Sequence, residues 1–281
     1  MSLRALIVGH ISLDRRKNKI LLGGPPLYQI PILDIFGYDI DVLTSFNQNS
    51  LNTEKLYPKV NFYNKKSQYT TTFQFYKNTN QERGGDDRTL QLIEKANDIY
   101  LSDIEQLHNE YEIVIVSPIA SELSLEVIIA LTKIAKFSFF DIQGLVRNFK
   151  ENGELYQKLN ELEFNQILCN FDVVKSSKSE ISDLPNVQNP YKSILIVTDG
   201  GQKIDILSNN EVKSTSLDTV EQIKDDTGSG DIFLSTFAAL YKKKKLLEAI
   251  KFAHEMAKLN LKIVGIPNID TLKNQKKLLG I

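Results

Sequence analysis

The chain has 281 residues, 42% of them hydrophobic and 25% charged, enough apolar material for one sizeable core in an α/β domain with a small appendage. Its 34 Lys and Arg balance 35 Asp and Glu, which excludes a nucleic-acid binder held by bulk charge but not a small anion held by local groups. The single cysteine, Cys169, excludes an intrachain disulfide and a cysteine-rich zinc site and suits a reducing cytoplasm.

The first apolar run, Ala5–Val8, is too short for a signal peptide, and no later run approaches the ~20 residues that span a bilayer. Similar short runs follow at Ile40–Leu43, Ile113–Val116, Phe137–Phe140, Ile167–Leu168 with Val173–Val174, and Ile194–Val197. Their β-branched and aromatic content predicts buried strands, with Cys169 as a small half-buried strand residue. Helical spacing appears at Leu123–Ile134 and Leu155–Leu162, so strands and helices alternate as in a mostly parallel sheet. Two stretches depart from this pattern. Val60–Tyr76 alternates with a period near two, and the Arg15–Leu22 region reads as a short hairpin. Together, segments near 15–22 and 60–85 predict a small β lid over the main sheet, with Gly84-Gly85-Asp86-Asp87 as a loop. Asp231–Tyr241 and Leu246–Val264 carry long amphipathic helical patterns, and Lys242–Lys245 suits the C-terminal end of the first. His10 and His108 have no partners at zinc-ligand spacing and read as surface or strand-end residues.

The richest segment is Asp225-Asp226-Thr227-Gly228-Ser229-Gly230-Asp231. Gly-x-Gly opens directly into a helix, where free N–H groups without a neighbouring Cβ form an anion site. Asp231 falls in the first turn beside that site, where a carboxylate can take the proton of an attacking hydroxyl. The same residues also admit a purely local reading, with Asp225 and Thr227 as helix caps and Asp231 as a partner of the helix dipole. No Gly-Lys-Ser/Thr follows, so this is not a Walker loop.

Asp225–Phe233 resembles the second motif of the PfkB/ribokinase family of carbohydrate kinases, with Asp226 in place of the usual Thr and Ser229 in place of the usual Ala. Other segments resemble that family in order: Gly9 to Asp14, Gly23-Gly24 with Tyr28 in place of a frequent Asn, and Lys175-Ser176-Ser177 to Glu180. Further along come Val197-Thr198-Asp199-Gly200 and the helix bearing His254. Phe140–Arg147 and the bulky residue after Gly23-Gly24 look nearest to the myo-inositol-kinase-like branch.

The resemblance implies a three-layer α/β/α ribokinase-like domain over residues 1–281, cytoplasmic, monomeric or homodimeric, with neither nucleic acid nor membrane as partner. It implies an ATP-dependent phosphotransferase acting on a hydroxyl of a small sugar or polyol. Asp231 would be the base and Gly228, Ser229 and Gly230 the anion hole. Asp14, Gly23, Gly24, Tyr28 and Arg147 would meet the acceptor. Lys175, Thr198, Gly200, Thr227 and His254 would meet ATP, and Glu180 would lie at Mg2+, with a monovalent cation as a further cofactor. Two alternatives stay open: a nucleoside or pyrimidine kinase of the same fold, with Tyr28 or Phe73 as an aromatic stack, and a non-catalytic nucleotide- or sugar-binding homologue.

Overall fold

The computed structural model describes residues 3–17, 19–77, 88–107, 110–182, 189–200, 202–218 and 223–281. In chain order the elements are β1 (Leu3–Val8), β2 (Ser12–Arg16), β3 (Lys19–Gly23), α1 (Pro25–Ile35), β4 (Tyr38–Phe46), α2 (Thr53–Leu56), β5 (Asn61–Lys66), β6 (Thr71–Lys77) and β7 (Arg88–Glu94). Next come α3 (Leu101–Ile104), β8 (Tyr111–Val116), α4 (Leu125–Leu131), β9 (Ala135–Asp141), α5 (Gln143–Val146), β10 (Arg147–Phe149) and β11 (Leu155–Gln157). The chain ends with α6 (Glu161–Asn170), β12 (Val173–Ser177), β13 (Ile194–Asp199), β14 (Lys203–Ser208), β15 (Glu211–Ser216), α7 (Ser229–Leu240), α8 (Leu246–Asn260) and α9 (Ile269–Leu278).

Nine strands form the main sheet in the order β15-β14-β13-β12-β9-β8-β1-β4-β5. It is parallel from β13 to β5 and antiparallel only at β14 and β15. Alternate residues of its central strands feed two cores. Ile7, Ile115, Phe139, Val173 and Ile196 pack with Phe233 and Phe237 of α7 and with Leu27 and Ile30 of α1. Val8, Val116, Phe140, Val174 and Val197 pack with Val127 of α4 and Phe164 of α6. This parity also positions the polar residues. Asp141 and Lys175 lie two residues after Phe139 and Val173 and so share the α7 face of the sheet. Helix α7 is buried from Ile232 to Leu240, as expected of a helix apolar on all sides.

Sheet order β3-β2-β6-β7 makes the lid. Leu21, Asp14, Phe73 and Leu92 stand at one register across it, so Asp14 shares a face with apolar neighbours. Phe73 and Leu90 pack on Ile119 and Ala120, with Phe149 and Leu155 against them. The lid base is tied down by His10. Its Nε2 donates to the Asn97 carbonyl (3.0 Å), leaving Nδ1 to accept from the Thr71 hydroxyl (2.8 Å).

Several local expectations are corrected. Residues 61–66 do not join the lid; β5 adds a parallel edge strand to the main sheet beside β4. Only the later part of Val60–Tyr76 enters the lid, where β6 runs parallel to β2 and antiparallel to β7. Leu155–Leu162 is not a helix: residues 155–157 pair with β10, and Glu154 bridges to Gln91 of the lid, so tertiary pairing overrides the helical spacing. The helix starts later, where the Asn160 side chain accepts from the N–H groups of Leu162 and Glu163. It runs through Ile167, Leu168 and Cys169, which are therefore not strand residues, and Cys169 is exposed. His10 is fully buried rather than at the surface. His108 and the Gly84–Asp87 loop lie outside the described residues.

Candidate active site

Asp141 and Thr198 lie at the C-terminal ends of β9 and β13, where open α/β sheets bind ligands. The N-cap of α7 is Gly228, in the left-handed region at φ 79°, and no side chain caps the helix. The Ser229 N–H turns back to the Asp226 carbonyl (3.1 Å), so the N–H groups of Gly230 and Asp231 are the first-turn donors available to a ligand. Asp225 and Thr227 do not cap it. Instead, the Asp225 Oδ1 accepts from the Thr227 N–H (3.1 Å), and the Asn260 side chain donates to the Thr227 carbonyl (2.7 Å).

Gly228 is confined twice, by its positive φ and by the ring of Tyr28, which lies where a Cβ would go. Gly228→Ala is expected to destabilise the fold by about 2 kcal/mol or more, through a strained left-handed residue and overpacking against the ring. Thermal unfolding of the variant checks this.

Asp231 is half-buried in the first turn. Burial pushes its carboxyl up to about 7, as do the charges of Asp141 and Glu180, against the opposing pull of Lys175 and Arg147. Asp231, Asp141, Lys175, Glu180 and Arg147 thus lie near enough to feel one another's charge. The Lys175 Nζ lies 2.8 Å from Asp141 Oδ2 because β12 and β9 hold the two residues as register partners. Burial acts to lower the Lys175 ammonium, but Asp141, Glu180 and Asp231 outweigh it and hold it above its usual range. The same Nζ stands 2.6 Å from where a Cβ on Gly230 would lie. A fixed cation thus touches the mouth of α7, and any larger residue at 230 would displace it.

On the lid side, Asp14 is buried and accepts from the Ser12 hydroxyl (2.9 Å). Burial pushes its carboxyl up, while the Ser12 hydrogen bond and the charges of Arg16 and Arg147 pull the other way. Gly23 lies against it: a Cβ there would stand 2.8 Å from both Asp14 oxygens. Gly24, at φ 88°, leaves only 2.5 Å between a Cβ and the His10 carbonyl oxygen. Tyr28 is buried, its hydroxyl raised well above its usual range by burial and then by Asp14, Asp225 and Asp231. It forms the wall behind Gly228 rather than an exposed stacking platform.

The remaining expected positions lie further along the strand ends. Glu180 accepts from the Ser177 N–H (2.7 Å), and burial raises its carboxyl despite Lys175. The Thr198 hydroxyl donates to the Ser176 carbonyl (3.2 Å) at the end of β13, and Gly200 follows in a left-handed turn at φ 53°. His254 is buried on α8, its Nε2 3.2 Å from the Asp218 carbonyl. The hydroxyl of Thr227 receives Arg16. Sequence reasoning missed Arg16, although it lies two residues after Asp14 on the same strand and so on the same lid face.

The pattern described as pfkB family carbohydrate kinase matches residues 67–268, most of the chain. The chain belongs to that family. No curated protein matches it. Among solved structures, this family member is similar to a pyrophosphate-dependent kinase of the ribokinase family in a sulfate complex, with TM-score 0.79 and 21% identity, covering 96% of this chain and 99% of that one. A pyrophosphate-dependent kinase of that family complexed with a pyrophosphate analog and myo-inositol superposes with TM-score 0.77 at 21% identity, covering 96% and 99%. Arabidopsis thaliana ribokinase complexed with ribose and ATP has TM-score 0.72 and 18% identity, covering all of both chains. These likenesses show the ribokinase-like fold. No helix among the described residues is long and apolar enough to cross a membrane.

Proposed function

We infer that the chain transfers the terminal phosphoryl group of ATP to a hydroxyl of a small sugar or polyol. The observation that carries this reading is the placement of Asp231 at the uncapped mouth of α7, with the Lys175 ammonium beside Gly230 and the Asp14 carboxylate on the lid side. Asp14 and Arg147 orient the acceptor's hydroxyls. Asp231 accepts the proton of the attacking hydroxyl as its oxygen bonds to phosphorus and the bond to the leaving phosphate breaks. The N–H groups of Gly230 and Asp231 and the Lys175 ammonium stabilise the charge that develops on the transferred group.

Mg2+ would neutralise the donor phosphates. Among the described residues no cluster of three or more His, Cys, Asp or Glu forms a metal cage, and Mg2+ bound chiefly by phosphates needs only one or two carboxylates. Glu180 fits that part.

A second donor, pyrophosphate, is favoured by one specific feature. His254, expected beside an adenine, is buried and engaged with the Asp218 carbonyl. The solved pyrophosphate-dependent kinases of this fold support the same reading.

Phosphorus NMR of reactions with MgATP or magnesium pyrophosphate tests both. The acceptors would be myo-inositol, ribose, fructose phosphates, ketodeoxygluconate and nucleosides. A phosphomonoester signal with a sugar or polyol is expected. Turnover confined to nucleosides would shift the reading to a nucleoside kinase. Donor binding with no phosphomonoester from any acceptor would leave a non-catalytic binding protein.

A further inference from the structure

Arg16 joins parts of the chain that are distant in sequence and separately involved in the site. It sits on lid strand β2. Its Nη1 lies 2.5 Å from Asp225 Oδ2, and its Nη2 donates to the Thr227 hydroxyl (2.6 Å) across more than 200 residues of sequence. The same Nη2 is 3.7 Å from Asp14 Oδ2. The guanidinium carbon lies 4.9 Å over the Phe75 ring, its register neighbour on β6. One planar cation thus touches the acceptor-side carboxylate, a lid aromatic, and two residues of the turn that ends at Gly228.

The end of α8 holds that turn as well. Lys224 N–H donates to the Leu261 carbonyl (2.8 Å), and Asn260 donates to Thr227 O. The Asp225 side chain is 2% exposed, and a carboxylate that dry requires charged or N–H partners. It has them: although burial pushes the acid up, hydrogen bonds from the Thr227 hydroxyl and N–H, and then Arg16, hold it below the usual carboxylate range. The guanidinium suits the task because its fixed fork can grip two oxygens at once.

We propose that Arg16 is a positioning residue that latches the lid to the Asp225–Thr227 turn and thereby holds the phosphate-binding mouth of α7 in register with Asp14. When the lid lifts, the turn loses the Arg16 contacts to Asp225 and Thr227. The geometry of Gly228–Asp231 is therefore coupled to lid closure, and the site is fully assembled only when the acceptor side is closed. The catalytic consequence rests on the phosphoryl-transfer reading; the mechanical coupling does not.

The test compares Arg16→Gln and Arg16→Lys with Lys19→Gln, an exposed cation on the neighbouring strand, by amide hydrogen exchange of the ligand-free protein and by steady-state kinetics. Arg16→Gln is expected to speed exchange about tenfold or more at residues 12–23 and 225–231 while leaving the central strands β1, β8 and β9 unchanged, the sign of a local opening. Its kcat is expected to fall about tenfold or more with a smaller change in acceptor KM, the loss of an arrangement needed mainly in the transition state. Arg16→Lys, with one ammonium for two acceptors, is expected to recover only part of both, and Lys19→Gln to behave as wild type. Unchanged exchange at 225–231 in Arg16→Gln overturns the latch, even where kcat falls. Exchange that rises uniformly across the sheet also overturns it, since that marks a general stabilising role. If the wild type phosphorylates no acceptor, the functional reading fails and the exchange data still decide the latch.

Discussion

Asp231→Asn is expected to lower kcat by about a thousandfold, within the span of a lost general base, with donor affinity changed no more than a few-fold. The amide keeps the shape and the first-turn position but cannot accept the hydroxyl's proton. Wild-type turnover should show the pKa of the same group. The base works deprotonated and its carboxyl is pushed up to about 7, so log kcat should climb with pH below that value and level off above it. Lys175, held above its usual range, adds no break near neutrality. Stability should move the opposite way. An acid whose folded pKa is raised contributes stability that is present below its unfolded value near 4 and is lost as pH rises through about 7. Asp231→Asn should therefore unfold at a higher temperature than wild type, by an amount that grows between about pH 4 and 7 and then stays constant, a stability gained where function is lost. Parallel pH–rate and thermal-unfolding series check both signs. A variant retaining a tenth or more of wild-type kcat would end the assignment of Asp231 as base.

Lys175→Met has the largest expected effect on stability, a loss of about 3–5 kcal/mol, because it leaves the Asp141 carboxylate buried without its cation. Urea unfolding at neutral pH measures it. The double variant Lys175→Met with Asp141→Leu removes both charges and should recover much of that loss, since an apolar pair of similar volume can replace a buried ion pair. Neither variant should regain turnover, because the ammonium beside Gly230 is gone, and a lost charge-stabilising donor costs about a hundredfold or more. Lys175 also holds Asp231 down, so any residual activity should have its acid limb displaced to higher pH. Full activity in Lys175→Met would remove this residue from the phosphate site.

The local geometry of the proposed phosphate site was legible in the sequence because its parts are neighbours in the chain. Gly228, Gly230 and Asp231 lie within four positions, so a glycine-lined helix start with a carboxylate in its first turn follows from spacing. The parallel sheet was legible for a similar reason, as short β-branched runs separated by helical patterns leave few alternatives. The resemblance to the PfkB/ribokinase family added Asp14, Gly23 and Gly24, and the structure places Gly23 against the Asp14 carboxylate. Local signals failed at residues 155–169 and 61–66, where the outcome depends on partners. Residues 155–157 become strand because β10 and the lid offer hydrogen bonds, and residues 61–66 join the main sheet because β4 has a free edge.

What the sequence determined by itself was an α/β chain with a glycine-lined start to α7 and a carboxylate in its first turn, because helix mouths and buried strands are built from neighbouring residues. Only the tertiary structure decided which charges meet. Strand register put Lys175 beside Asp141, and the lid brought Arg16 onto Asp225 and Thr227. Pairing in a sheet and contact across a cleft are fixed by where distant segments pack, and no spacing along one chain encodes that directly.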